Sequence, residues 1–186
     1  EAQISSISDD IAYNNHDIQD GIKAKLFKLN DLIEINFFKE IYSFHKKNIK
    51  NNNNNILIYQ IIRDSIDLMV KDLIKNTIQN LKKNKVKNIQ NVYNLPNQTV
   101  CFSNKFKNIE KEIRLFLRQK MYNNQNVLTK NNYGKKIVKK LYSLISKKPN
   151  KFLAREQLKE DKTRAISDFI SGMTDRYAIN LYNSTK

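Results

Sequence analysis

The 186-residue sequence is poor in the residues that build loops and crosslinks: it has one cysteine, three glycines, two prolines and no tryptophan. A single cysteine, Cys101, excludes an internal disulfide framework and is typical of a reducing compartment. The scarcity of glycine and proline favours helices over a loop-rich sheet.

Long apolar runs are also lacking. The longest, at residues 56–62, is far shorter than the roughly 20 residues that span a bilayer, which excludes a membrane-spanning protein. No signal peptide is visible, because Glu1 already belongs to an amphipathic pattern. We therefore expect no membrane partner and a cytoplasmic location.

Negative charge is scarce too, with 18 acidic residues against 34 lysines and arginines, and a net charge of +16. This excess suggests weak binding to nucleic acid, whose phosphates attract basic proteins. Joint enrichment in lysine, asparagine and isoleucine instead indicates compositional drift with solvated lysines, and this interpretation is favoured. The lysine pairs are scattered and lack the interleaved aromatics of a stacking platform. They lie at residues 46–47, 82–83, 135–136, 139–140 and 147–148.

Apolar residues recur at helical spacing along most of the chain. The predicted helices cover residues 2–26, 30–45, 56–83, 104–122, 130–146 and 162–182. Asn30 and Asp31 are predicted to cap the second helix, with Glu34 in a capping box. Val70, Ile74 and Ile78 are predicted to face the core. The asparagine run 51–55 and residues 84–96 are predicted loops, and no strand-like alternation is present, so the predicted fold is all-α, in one domain.

Three side chains of the first predicted helix share one face. Asp9, Tyr13 and Asp17 lie four residues apart, so each step drifts by only about 40° around the helix. Carboxylates are rarely buried without a cation or a hydrogen-bond donor. This stripe therefore suggests a ligand, and a metal ion with a hydroxyl-bearing substrate would suit it.

Two motifs carry a family resemblance. The segment EAQ at residues 1–3, followed by DDIAYNNHDIQDG at residues 9–21, resembles a motif of the deoxyguanosinetriphosphate triphosphohydrolase-like family, a branch of the HD superfamily of metal-dependent phosphohydrolases. The segments DKTRAI and DFISGMTDRYA, at residues 161–166 and 168–178, resemble its closing motif. Weaker likeness covers residues 62–77 and 116–127. The resemblance implies the helical C-terminal part of an HD-domain enzyme: a final-aspartate segment at 1–50, the asparagine loop at 51–55, and a region at 56–186 that packs on the HD domain.

The resemblance also implies residue roles. Asp9 matches the last metal ligand of the family, and Tyr13 with Asp17 match positions that contact the phosphates and the 3′-hydroxyl of the substrate. The implied reaction is hydrolysis of a deoxynucleoside triphosphate (dNTP) to a deoxynucleoside and triphosphate, with Mn²⁺ or Mg²⁺ activating water. His16 is interpreted as bordering the site rather than as a metal ligand. A homo-oligomer is implied as well.

The sequence contains only two histidines, His16 and His45. His45 lies in an unrelated context, so the first histidine and the His-Asp pair of the family's metal site are absent. Because one aspartate cannot hold a catalytic divalent ion, we expect the chain to need a separate N-terminal HD portion and to be inactive alone.

Two alternatives stay open. The chain could be a non-catalytic remnant of a split gene, or a basic helical module that binds single-stranded nucleic acid. Asp168, Asp175 and Arg176 of the closing motif are interpreted as structural, with Asp175 pairing with a neighbouring arginine. Arg63, Arg114 and Arg118 are expected to be surface residues.

Overall fold

The computed structural model describes residues 1–48, 54–159 and 161–184. Across these ranges the secondary structure is helical and contains no strands, which confirms the all-α prediction. The α-helices are α1 (Ala2–Lys23), α2 (Leu29–Leu32), α3 (Asn36–Asn48), α4 (Asn54–Lys83), α5 (Ile89–Tyr93), α6 (Asn104–Leu117), α7 (Gln125–Lys147), α8 (Lys162–Ser171) and α9 (Asp175–Asn183). A π-helical turn (Arg118–Tyr122) and two 3-10 turns (Pro149–Lys151 and Glu156–Leu158) complete the elements. None of the helices in these ranges is both long and apolar enough to cross a membrane.

The chain divides into two compact units, residues 1–124 and 125–186, which we call unit 1 and unit 2. In unit 1, α4 packs against α1 and α3, and α1 also contacts α6. Each of these helices contributes an isoleucine or phenylalanine side chain that is completely inaccessible to solvent. These side chains are Ile18, Phe38, Ile61 and Ile113.

The ends of α1 and α4 share one backbone motif. Leu26 N–H donates to the Gly21 carbonyl at 2.9 Å, and Val86 N–H donates to the Leu81 carbonyl at 3.1 Å. Lys25 (φ 57°) and Lys85 (φ 50°) occupy the left-handed conformation between the helix and this bond. These are Schellman endings with lysine where glycine is usual. Because no glycine marks the end of α1, the helix predicted from sequence ends at residue 26, three residues after the observed end at Lys23.

Polar side chains hold the segment that leads into α6. Asp72 accepts hydrogen bonds from the backbone N–H (2.9 Å) and the hydroxyl (2.7 Å) of Ser103. One and two turns further along α4, Asn76 donates to the Cys101 carbonyl and Asn80 to the Thr99 carbonyl. From α1, the Gln3 amide oxygen accepts from the N–H groups of Thr99 and Val100 at 3.1 and 3.0 Å. These bonds give a segment without regular structure its backbone partners.

In unit 2, α7 packs against both α8 and α9. Its apolar face carries Ile137, Leu141 and Ile145, which form a small buried core with Leu153, Ile166 and Tyr182. Asp161 and Thr174 cap α8 and α9 by accepting from the N–H groups of Arg164 and Tyr177. The cap at Thr174 divides the helix that the sequence predicts over residues 162–182 into two.

Several other predictions are corrected. Asn54 and Asn55 belong to α4 rather than to a loop, while residues 51–53 of the predicted loop lie outside the described ranges. The predicted second helix is two helices, α2 and α3. Asp31 accepts at 2.7 Å from the N–H of Lys28, which precedes α2, so the predicted cap at Asn30 is wrong.

The outer side of α4 is also different from the prediction. Val70, Ile74 and Ile78 are 37%, 55% and 46% exposed, because the buried stripe runs along the opposite side through Leu57, Ile61, Met69 and Leu73. Residues 84–96 are not loop throughout, since they contain α5. Asn88 caps this short helix by accepting from the Asn91 N–H at 3.0 Å.

Candidate active site

The acidic row of α1 consists of Asp9, Tyr13 and Asp17; the first two lie on the side of the helix opposite its buried stripe, and Asp17 is half-buried. Ile11 and Ile18 face the core and are 3% and 0% exposed. Asp9, Tyr13 and His16 are exposed, with 59% of the Tyr13 side chain accessible. Within the part of the chain that the structure describes, Asp9 has no hydrogen-bond or ion-pair partner. An ionised carboxylate in this position is free to accept bonds from a ligand.

Asp10, next in sequence, has a different environment. Its carboxylate pairs with Arg114 of α6 at 3.1 Å, and Arg114 also pairs with Glu110 one helical turn before it. Asp10 and Arg114 are each about half exposed, so the pair adds little stability. The two adjacent aspartates of α1 therefore differ: Asp10 forms an ion pair with α6, whereas Asp9 has no partner among the described residues.

Asp17 is held by a residue that the sequence analysis did not assign. The Tyr122 hydroxyl donates a hydrogen bond to one carboxylate oxygen of Asp17. Burial of the Tyr122 hydroxyl raises its pKa, and the bond to Asp17 and the nearby Tyr13 raise the pKa further. Tyr122 therefore stays protonated at neutral pH and remains a donor. Asp17, Tyr13 and Tyr122 form one cluster.

A π-helical turn places Tyr122 there. Asn123 N–H donates to the Arg118 carbonyl at 3.0 Å, a bond over five residues in place of the usual four. The wider turn rotates the side chains that follow it relative to α6. The sequence signal for Tyr122 is weak, because it lies 105 residues from Asp17, inside the segment 116–127 of lower likeness to the family.

The two asparagines that follow Tyr13 face inward. Asn15 is completely buried, and its amide donates to the Ile11 carbonyl at 2.8 Å and lies 3.6 Å from the Met69 sulfur of α4. Asn14 is 6% exposed. The motif around Tyr13 therefore combines residues that pack α1 onto unit 1 with residues that project from it.

The side chains of this chain do not complete a metal site in the described ranges. Residues 1–48, 54–159 and 161–184 contain no group of three or more His, Cys, Asp or Glu side chains that could hold an ion. His45 is engaged elsewhere, since its Nε2 lies 2.6 Å from the Asp64 carboxylate, a pair between α3 and α4 that the sequence analysis missed. Asp9 could supply one ligand of a site and no more.

The closing motif has structural roles in unit 2. Asp161 and Thr174 cap helices, and Arg164 lies 3.6 Å from Asp168 in an exposed i,i+4 pair. Asp175 has no ion pair with any residue that the structure describes, so the predicted pairing with a neighbouring arginine is wrong.

Comparison with known proteins identifies the family. Residues 100–184 match the family described as phosphohydrolase-associated domain. A relative from Pelagibacter ubique (strain HTCC1062), named deoxyguanosinetriphosphate triphosphohydrolase-like protein, is 74% identical over 181 residues, which are 97% of this chain and 49% of the relative. The chain belongs to this triphosphohydrolase-like family.

More distant relatives with the same name support the assignment. Those of Leptospira interrogans (strain Fiocruz L1-130) and Rickettsia rickettsii (strain Iowa) are 36% and 35% identical over 190 and 189 residues. The matches cover 99% and 98% of this chain, and 50% and 49% of the relatives. The chain thus spans about half the length of the curated relatives it matches, and the matched half is the C-terminal one.

Proposed function

We propose that this chain is the C-terminal part of a metal-dependent dNTP triphosphohydrolase, which releases a deoxynucleoside and intact triphosphate. One observation carries the proposal: on α1, Asp10 and Asp17 are paired, whereas Asp9 projects unpaired from the side opposite the core. Asp9 is the proposed metal ligand, Tyr13 and Asp17 are the proposed substrate ligands, and His16 borders the site. The relatives from Pelagibacter ubique and Leptospira interrogans, named deoxyguanosinetriphosphate triphosphohydrolase-like proteins, support this reaction class.

The proposed role of Asp17 follows from its contact with Tyr122. A carboxylate has two oxygens that accept hydrogen bonds, and the Tyr122 hydroxyl occupies one of them. The other oxygen is left to accept from a sugar hydroxyl of the nucleotide. Tyr122 fixes the direction of the carboxylate, which lowers the entropy lost when substrate binds.

The proposed ion, Mn²⁺ or Mg²⁺, does not fit the residues of this chain alone. Such ions need several oxygen or nitrogen ligands, and Asp9 is a single carboxylate without another metal-binding group beside it in the described ranges. The remaining ligands must come from the half of the full-length protein that this chain does not span. The isolated chain is therefore expected to be inactive.

The test is a fusion protein that joins this chain to the unmatched half of the Pelagibacter ubique relative. We expect it to release triphosphate from dGTP or another dNTP with Mn²⁺ or Mg²⁺, and light scattering of the same fusion tests the predicted homo-oligomer. Asp9→Asn should lower turnover by roughly 100-fold or more, because it removes a charged ligand. Tyr122→Phe should raise KM about 10-fold, since Asp17 loses the group that orients it.

The matched control is Asp67→Asn, an exposed aspartate of α4 whose ion pair, among the residues that the structure describes, is with Lys71. Its activity should equal that of the unmodified fusion. An active Asp9→Asn protein would show that Asp9 is not the ligand. A folded fusion without hydrolysis of any dNTP would contradict the proposal and favour the remnant of a split gene.

A further inference from the structure

The outer face of α7 carries a cluster of lysines. Helical geometry places one side of α7 against α8 and α9 through Ile137, Leu141 and Ile145. The opposite side carries six exposed side chains that border one open groove. They are Asn132, Lys135, Lys136, Lys139, Lys140 and Ser143.

These lysines lie in a stretch of sequence without carboxylates. Residues 113–155 contain twelve lysines and arginines and neither aspartate nor glutamate. Unit 2 as a whole has 14 basic and 5 acidic residues, against 20 and 13 in unit 1. In the described part of the chain, none of the four lysines forms an ion pair. Like charges at i,i+4 spacing, such as Lys135 with Lys139, destabilise a helix, so this face carries a local electrostatic cost.

Compositional drift explains a high lysine content, and the rarity of buried lysine explains why these lysines are exposed. Neither explains why residues 113–155 contain no aspartate or glutamate beside them. A lysine at the last turn, Lys147, has a simpler reason, because cations are favoured at helix C-termini. The four-lysine face lies in the middle of the helix and has no such reason.

We propose that the four-lysine face of α7 binds the phosphate backbone of duplex nucleic acid without reading its base sequence. Lysines one helical turn apart are separated by about 6 Å along the helix axis, so the four charges form a compact block. Duplex DNA carries about one negative charge per 1.7 Å of helix axis, so several of its phosphates lie within reach of such a block. Asn132 and Ser143 at the two ends can donate hydrogen bonds to further phosphate oxygens.

The residue composition of the lysine face favours duplex nucleic acid over single strands and anionic membranes as its ligand. Binding to single strands relies on aromatic side chains that stack on bases, and the lysine face has none. The two aromatic residues nearest in sequence have other contacts: the ring of Tyr133 packs edge-on against Tyr182, and Tyr142 packs against the core of unit 2. An anionic membrane surface would need an apolar stripe to insert, but the apolar stripe of α7 is buried in the core of unit 2.

The test compares two variants of the chain with the same net charge. One carries Lys→Gln at positions 135, 136, 139 and 140. The matched control carries Lys→Gln at positions 39, 75, 105 and 111, which are exposed lysines distributed over α3, α4 and α6. Binding of a fluorescent 20-base-pair duplex is measured by anisotropy over a range of salt concentrations, and circular dichroism verifies equal helicity.

We expect the α7 variant to bind duplex roughly 10-fold or more weakly at low salt, and its slope of log K against log salt to fall by about 3 to 4, as for four lost phosphate contacts. The control should lose less than about 3-fold. Equal losses in both variants would overturn the proposal in favour of a diffuse positive field. Tighter binding to a single strand or to phosphatidylserine vesicles than to duplex would also overturn it.

Discussion

Unit 1 and unit 2 are both helical, but different interactions determine their structures. In unit 1, side-chain hydrogen bonds join residues far apart in sequence, such as Gln3 with Thr99 and Asp17 with Tyr122. In unit 2, the helix caps join residues three apart, such as Asp161 with Arg164, around a smaller apolar core. The polar groups of unit 1 thereby fix the candidate active site, whereas the four lysines on the outer face of α7 form no ion pair with any residue that the structure describes.

The comparison shows that the positions of charged residues decide whether they pair or stay free for a ligand, and that their number does not. Unit 1 has more charged residues, yet some of them pair between elements: Asp10 of α1 with Arg114 of α6, and Asp31 of α2 with Lys120 of the π-helical turn. Unit 2 has few acidic residues, and four of its eleven lysines share one face of α7. We therefore expect unit 1 to contain a binding site with defined geometry, and the α7 face of unit 2 to attract polyanions through its positive electrostatic potential.

Leu141→Ala should have the largest effect, because it removes a fully buried side chain from the small core of unit 2. We expect a loss of about 2–5 kcal/mol in the free energy of unfolding of that unit. Hydrogen exchange should accelerate in residues 125–184 and stay slow in the helices of unit 1, since each core contains residues of its own unit only. Leu144→Ala, at a half-buried position of the same helix, is the control with a smaller loss. Equal acceleration in both units would show a single cooperative core.

Gly21→Ala and Gly134→Ala should change stability in opposite directions. A Cβ atom at Gly21 would lie 2.3 Å from the ring of Phe27, which is buried and packs edge-on against Phe116. We expect Gly21→Ala to lower the free energy of unfolding by about 1–3 kcal/mol through overpacking.

Gly134 is the matched control, because a Cβ atom added there meets no atom within 4 Å. Gly134→Ala should raise the free energy of unfolding by about 0.5–1 kcal/mol, since alanine loses less backbone entropy in a helix. Urea denaturation measures both changes. A neutral Gly21→Ala would show that the Phe27 ring can move, and that unit 1 is packed less tightly than its contacts indicate.

Gln3→Ala tests whether long-range polar bonds stabilise unit 1. The change leaves the N–H groups of Thr99 and Val100 without their acceptor, so we expect a loss of about 1–2 kcal/mol. Exchange of these two amide protons should accelerate, as measured by NMR. Gln79→Ala, at an exposed position of α4, should leave both quantities unchanged. Unchanged exchange in Gln3→Ala would mean that the segment is held by α4 alone.

The smallest effect is expected at Asp31. The hydrogen bond from Lys28 N–H lowers the pKa of this carboxyl, and the contact with Lys120 lowers it further. Because the folded pKa is below the unfolded value of about 3.9, Asp31 stabilises the fold at neutral pH, and this contribution is lost as the pH falls through the folded pKa.

Urea denaturation of the wild type and of Asp31→Asn at several pH values checks this. The difference in stability should be constant above about pH 5 and should shrink below about pH 4. Lys120→Met should reduce the shift in the Asp31 pKa without abolishing it, since the bond from Lys28 remains. A difference that persists at the lowest pH would contradict the expected sign.

Most helices could be predicted because the spacing of apolar residues is a local property of the sequence. The ends of the helices were harder to predict. Lys25 and Lys85 adopt a left-handed conformation that glycine usually adopts, and Thr174 caps a helix inside a continuous apolar pattern. For the candidate site, Asp9, Tyr13 and Asp17 were found by their spacing and by family likeness. Tyr122 was not, because its contact with Asp17 depends on a π-helical turn and on the packing of α1 against α6.

The sequence by itself determined the helical class, the acidic row on α1 and the excess of lysine, because composition and period are properties of the chain. Tertiary structure alone decided which aspartate stays unpaired, which tyrosine orients Asp17, and which lysines share an uncompensated face. Those outcomes depend on which helix covers which side of another. That choice results from burial of apolar surface between residues that are distant in sequence.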